Sequence, residues 1–165
     1  MFQMHRIFCA TPWELEAERG RFHDSIGQFN ETVAQREGIL YIPVTLVNIR
    51  DKRPFQYVID ENIRESRHCI FLFSDGWGPP ERNFRNDYYQ ALQAIDDPAS
   101  ALQSVTVLAK TMPSGQPPVQ DSSAADLPAP YDTFSTLDSF NNCLNGLLST
   151  WLKTLLNRNA AASGR

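Results

Sequence analysis

HCIFLFSDGWGPPERNFRNDYYQAL, residues 68–92, runs from a nearly continuous apolar stretch through a Gly and Pro turn into a segment with helical spacing. A strand buried on both faces reads as an unbroken apolar run, so HCIFLF is expected at the centre of a parallel sheet. The spacing over 83–95 predicts a helix that buries Phe84, Tyr88, Leu92 and Ile95, with DDP as its stop signal. Strand, loop and helix in this order are one half of a parallel crossover unit.

The same unit recurs on either side. RIFCA (residues 6–10) precedes TPWE, where Thr11 and Glu14 have capping-box spacing and Pro12 suits a first helical turn. Leu15, Phe22, Ile26, Phe29 and Val33 then fall on one helical face, and Gly38 marks its far end. ILYIPVTLVNI (residues 39–49) reads as a second strand, with Pro43 arguing for an edge or an irregularity because it lacks an N–H. A short helix over 55–64 turns Val58, Ile59 and Ile63 inward, and SVTVLA (residues 104–109) is the fourth strand. A final helix carries a stripe of Leu137, Phe140, Leu144, Leu147, Leu148, Trp151, Leu152 and Leu155.

These elements assemble into an α/β fold: an open, doubly wound parallel sheet of four to five strands in the order 2-1-3-4, with a short fifth strand near Tyr131. One domain is expected over 1–158. The Pro-, Ser- and Ala-rich segment 111–130 reads as a mobile surface loop and 159–165 as a disordered tail.

Composition excludes several functions. Charged residues are 21% of the chain and the net charge is −4, with Lys and Arg scattered, so no nucleic-acid footprint is present. The N-terminus carries no long apolar leader segment, and no apolar run is long enough to span a membrane, which together read as a cytoplasmic protein without membrane contact. Cys9, Cys69 and Cys143 form no CxxC pair and read as inert thiols. His5, His23 and His68 show no ligand spacing, so no metal site is expected. SDGWG matches neither a Walker nor a Rossmann glycine fingerprint.

In a doubly wound sheet the ligand lies beyond the carboxyl ends of the strands, where strand order reverses. That rule brings together the loops after the first and third strands, with Thr11 on one and Ser74, Asp75, Gly76, Trp77 and Gly78 on the other. Trp77 sits between two glycines and could stack on a base, face a partner, or pack on its own core. Glu14, Glu18 and Arg19 could fix the first loop as an ion-pair cluster, though capping and helix-dipole roles for the two glutamates are the favoured reading.

RIFCATPWELEAERGRFHDSI (residues 6–26) resembles the opening of the DUF4062 family, bacterial TIR-like domains of flavodoxin-like fold. Thr11, Glu14, Leu15, Glu18 and Arg19 match its pattern, while Cys9 and Ala10 stand where the family has serines. SRHCIFLFSDGWG (residues 66–78) and YDTFSTLDSF (residues 131–140) continue the resemblance. In TIR domains that cleave NAD, a glutamate near the start of the helix after the third strand faces the ribose. The resemblance puts Asp87 there, with Tyr88 and Ala91 in register. Aspartate is shorter by one methylene, about 1.5 Å of reach, and a misplacement of about 1 Å can cost roughly a hundredfold in rate. Glu81, in the Pro-Pro turn, is the other carboxylate candidate.

The resemblance thus implies a TIR-like signalling or defence module. It would act by self-association, by docking to a fused or associated signalling partner, or by binding a nucleotide. The second implication is an NAD glycohydrolase, or a related nucleoside-cleaving enzyme, in which Asp87 stabilises the oxocarbenium-like ribose. NAD enters as substrate or ligand, with no separate cofactor. The shorter acid and the missing serines weigh toward the first reading.

Overall fold

The computed structural model describes residues 1–46, 55–74, 84–111, 127–128 and 130–163. Strands β1 (Gln3–Ala10), β2 (Ile39–Val44), β3 (His68–Phe73), β4 (Ser104–Lys110) and β5 (Asp132–Phe134) alternate with helices α1 (Glu16–Thr32), α2 (Phe55–Glu65), α3 (Phe84–Asp96) and α4 (Leu137–Ser163). All strand pairs are parallel and the order is β2-β1-β3-β4-β5, a flavodoxin-like arrangement with β3 at its centre. Every residue of β3 is buried, as its unbroken apolar run requires.

Alternation along the strands divides the core into two layers. Ile7 and Cys9 of β1, Ile70 and Leu72 of β3 and Leu108 of β4 pack against Phe22 and Ile26 of α1 and Phe140, Leu144 and Leu148 of α4. Phe8, Cys69, Phe71, Phe73, Val107 and Ala109 face the other way, onto Ile59 and Ile63 of α2 and Phe84, Tyr88 and Ala91 of α3.

Pro43 lies in β2, which is an edge strand, so its missing N–H leaves no central ladder incomplete. Beside it, Asn30 of α1 completes the pairing of Tyr41. Its Nδ2 donates to the Tyr41 carbonyl at 2.8 Å and its Oδ1 accepts from the Tyr41 N–H at 2.9 Å, so a side-chain amide stands in for a neighbouring strand. At the far end of the first crossover, Gly38 takes φ 72°, a left-handed conformation that closes the 3-10 turn Ala34–Glu37.

Several local expectations are corrected. Thr11 and Glu14 do not form a capping box: the chain enters through a 3-10 turn at Trp13–Leu15 with extended Pro12 at the cap position and no side-chain cap bond. Glu14 is engaged elsewhere, accepting from Ser74 Oγ at 2.9 Å. Val33 falls just past the end of α1 with non-helical dihedrals and is 39% exposed, so it leaves the apolar face.

The inner face of α3 is Phe84, Asp87, Tyr88, Ala91 and Ala94, whereas Leu92 and Ile95 are 37% and 38% exposed. Two alanines let α3 sit close to the sheet, and this rotation turns Asp87 toward α2. The terminal helix continues over 159–163, part of the segment expected to be a disordered tail, because an alanine run propagates helix at little entropic cost. Its start is secured by a Thr136–Ser139 exchange, in which the Ser139 N–H donates to Thr136 Oγ1 at 3.1 Å and the Thr136 N–H donates to Ser139 Oγ at 2.9 Å.

Most of the expected mobile loop, 112–126 together with 129, lies outside the described residues. Among the described residues no helix is long and apolar enough to cross a membrane.

Candidate ligand site at the carboxyl ends of β1 and β3

β1 and β3 are hydrogen-bonded neighbours, while β2 lies on the other side of β1. The chain therefore reverses its direction of winding between them, and the loops leaving their carboxyl ends border one crevice. Ser74, directly after β3, donates to Glu14 Oε1 from the β1 side at 2.9 Å, tying the two loops together.

Thr11 lies on the β1 side of this crevice. Its Oγ1 accepts from Arg19 Nη1 at 3.4 Å, a weak bond that leaves most of the guanidinium donors unused. Arg19 is 9% exposed, with its guanidinium carbon 5.9 Å from the ring centre of Trp13. No carboxylate among the described residues pairs with it. Its neighbour Glu18 is 2% exposed and is paired with Lys110 Nζ, which arrives from the carboxyl end of β4. One side of the crevice thus holds a buried Glu18 paired with a half-exposed Lys110, and an arginine without a carboxylate partner among the described residues. Trp13 is 67% exposed beside that cation.

Asp87 occupies a different environment. It lies in the first turn of α3, is 4% exposed, and its Oδ1 accepts from Gln56 Nε2 at 2.8 Å across the seam with α2. The same Gln56 nitrogen donates to Asp60 Oδ1 at 2.9 Å. Gln90, with its amide turned to satisfy both ends, donates to Asp60 Oδ1 at 2.5 Å and accepts from Asn86 Nδ2 at 3.2 Å. Burial pushes the Asp87 carboxyl up, the Gln56 hydrogen bond pulls it down, and the Asp60 charge pushes it up again, leaving it at about 6. It is therefore an acid poised close to neutrality.

The expected residues separate into four groups. Thr11 and Ser74 border the crevice, joined to Arg19 and Glu14 respectively. Asp87 belongs to the α2–α3 seam and makes its bond there. Tyr88 is buried against β3, its ring meeting Phe71 edge-on with centroids 5.5 Å apart, in the core layer under α3. Asp75, Gly76, Trp77, Gly78 and Glu81 lie outside the described residues.

Sequence reasoning missed Lys110, Gln56 and Asp60. Lys110 had a usable signal: it is the first charged residue after the β4 apolar run, at the strand end where ligands gather. Gln56 and Asp60 share a helical face at a spacing of four, but only the docking of α3 gives that face a purpose.

Cys9 and Cys69 are buried and burial pushes both thiols well above their ordinary range, a setting that disfavours thiolate chemistry. Among the described residues no group of three or more His, Cys, Asp or Glu side chains could hold a metal ion. A depression of about 720 Å³ lies over β1 and β2, lined by Met4, Arg6, Ile42 and Val44, and reaches Glu65 and Arg67 at the end of α2 and the start of β3. No family model and no curated protein matches the chain.

Proposed function

We propose that this protein is a nucleotide-binding module of the TIR-like signalling or defence kind. Its ligand would lie across the carboxyl ends of β1 and β3, and it would act through association with further copies or with a signalling partner. The observation that carries this reading is Arg19, a residue 9% exposed at the switch point whose guanidinium has no carboxylate partner among the described residues. A largely buried arginine that spends one N–H on a hydroxyl keeps donors for an arriving anion, and arginine pairs with phosphate oxygens through two parallel hydrogen bonds. The Thr11 hydroxyl adds a donor beside it, and the exposed Trp13 indole offers a surface on which a base can stack.

Isothermal titration of the protein with NAD, ADP-ribose and ADP tests this. Wild-type protein should bind at least one of them, and Arg19→Gln should weaken that binding by at least tenfold, roughly the loss of one charge-assisted bond. Equal affinity in wild type and Arg19→Gln would sink the assignment.

A second reading, cleavage of the N-glycosidic bond of NAD, is favoured by the Asp87 environment. Its carboxyl is buried, held in place by Gln56 and poised at about 6. The carboxylate would stabilise positive charge on the ribose as the bond from its anomeric carbon to the nicotinamide nitrogen breaks. The bonding pair leaves with nicotinamide, and water then adds to the anomeric carbon with loss of a proton. This chemistry requires the ribose to reach the α2–α3 seam. Nicotinamide release at high protein concentration, abolished in Asp87→Asn, would support it. Release that survives the substitution would eliminate it.

A further inference from the structure

At the opposite, amino-terminal edge of the sheet lies a second polar cluster that the proposed nucleotide site does not use. His68 opens β3, and its Nδ1 is 2.7 Å from Ser104 Oγ at the start of β4. The imidazole stacks flat on Trp151 of α4, with centroids 4.0 Å apart and planes within 3°. Arg67 precedes His68 and places Nη1 3.3 Å from His5 Nδ1 on β1. Arg158, two turns beyond Trp151 on α4, donates from Nη1 to Gln103 Oε1 at 3.0 Å. Arg67, His68, Gln103, Ser104, Trp151 and Arg158 border a cavity of about 110 Å³; Thr154 is also on its wall, with its hydroxyl donating to the Thr150 carbonyl at 3.0 Å.

The charges here are unbalanced. Both arginines line one small cavity, and each makes its bond to a neutral group. No carboxylate among the described residues pairs with either, although the nearby Arg6 and Arg64 are matched with Glu65 and Asp97. Burial and the charge of Arg158 both press the Arg67 guanidinium downward, so the two cations raise each other's energy. His68, driven by burial and then by Arg67, His5 and Arg158 down to about 3, stays neutral and cannot supply a third charge. Each guanidinium keeps several N–H donors beyond its one bond to a neutral group, and two such forks on one cavity wall beside the Ser104 hydroxyl are complementary to a tetrahedral oxyanion. The volume is that of a few waters, which admits one phosphate group and excludes a whole nucleotide.

We propose that this crevice is a phosphate-binding site in which Arg67 and Arg158 grip one phosphate group, with the Ser104 hydroxyl adding a further hydrogen bond. The ligand is inorganic phosphate or the phosphate end of a phosphomonoester whose remainder stays outside the cavity. The site is separate from the crevice holding Arg19, because the two lie at opposite ends of the strands.

The test is titration with inorganic phosphate and with glycerol phosphate at pH 7.5, against chloride at matched ionic strength. Binding is followed by calorimetry and by the backbone amide signals of Gln103 and Ser104. Arg158 is exposed near the end of a helix, so Arg158→Gln should fold normally and weaken phosphate binding by at least tenfold, while Arg36→Gln, at an exposed arginine outside both proposed sites, leaves it unchanged. Glycerol phosphate binding more than tenfold tighter than phosphate would identify a phosphomonoester as the ligand, and equal binding the free anion. No response beyond chloride would overturn the proposal. Binding lost in Arg19→Gln but kept in Arg158→Gln would do the same, by moving the anion to the other end of the sheet.

Discussion

Replacing Asp87 by Asn should stabilise the protein at neutral pH, an unusual direction for a change at a buried, hydrogen-bonded position. In the unfolded chain this carboxyl titrates near 3.8, and in the fold at about 6. Between those values the folded state holds a proton that the unfolded state has lost, so stability falls as pH rises through the window. Above it the full cost of an ionised Asp87 is present. A change from 3.8 to about 6 corresponds to about 3 kcal/mol. Relaxation of the surrounding polar groups around the ionised carboxylate, which raises the effective dielectric even at a buried site, reduces this to about 1–2 kcal/mol. Asparagine keeps the size of the side chain and the Oδ1 acceptor for Gln56, and it does not ionise. Urea unfolding followed by circular dichroism at pH 4.5, 6 and 7.5 measures the effect. Asp87→Asn should exceed wild type by about 1–2 kcal/mol at pH 7.5, a rise in Tm of about 3–6 °C for a domain of this size, and the two proteins should converge toward pH 4. A variant less stable than wild type at pH 7.5, or one with an unchanged pH slope, would refute the reasoning. A gain in stability accompanied by loss of ligand turnover would mark Asp87 as a group held at a cost for its function.

Other substitutions probe neighbouring parts of the account. Lys110→Met should destabilise by about 2 kcal/mol in urea unfolding, because it leaves Glu18 buried without its partner, and Glu18→Gln in the same background should recover most of that loss. Asn30→Ala removes both bonds to the Tyr41 backbone and should cost about 2 kcal/mol; by baring the β2 edge it should also raise the aggregation rate measured by light scattering. The His68 ring should remain neutral to below pH 5 in an NMR titration, since its protonation lies near 3 in the fold. As that value is depressed, stability should fall as pH drops below 6.5, and His68→Gln should flatten this acid limb.

The sheet was legible because burial on two faces leaves a direct trace. HCIFLF has no alternation and sits at the centre, while the Pro43 strand sits at the edge. The inner face of α3 was not legible. Leu92 and Ile95 fit helical spacing with Phe84 and Tyr88 as well as Ala91 and Ala94 do, and only the close seat on the sheet and the Gln56 partner on α2 select the alanine side. The Thr11–Glu14 capping pattern misled for a similar reason, since a carboxylate that can cap can also reach a hydroxyl on another strand's loop. The places of Thr11 and Ser74, just past the carboxyl ends of the neighbouring strands β1 and β3, follow from strand order alone. The pairing of Glu18 with Lys110 spans 92 residues of chain, and no local pattern carries it.

The central claim is that a phosphate-bearing ligand sits between the ends of β1 and β3 against Arg19. It is tested most directly by titrating isotope-labelled protein with ADP-ribose and following its backbone amide signals. The account predicts saturable shifts concentrated at Thr11, Trp13, Arg19 and Ser74, all of which vanish in Arg19→Gln. Saturable shifts confined to the β1–β2 edge or to the amino-terminal edge of the sheet would contradict it, as would a spectrum that ADP-ribose leaves unchanged.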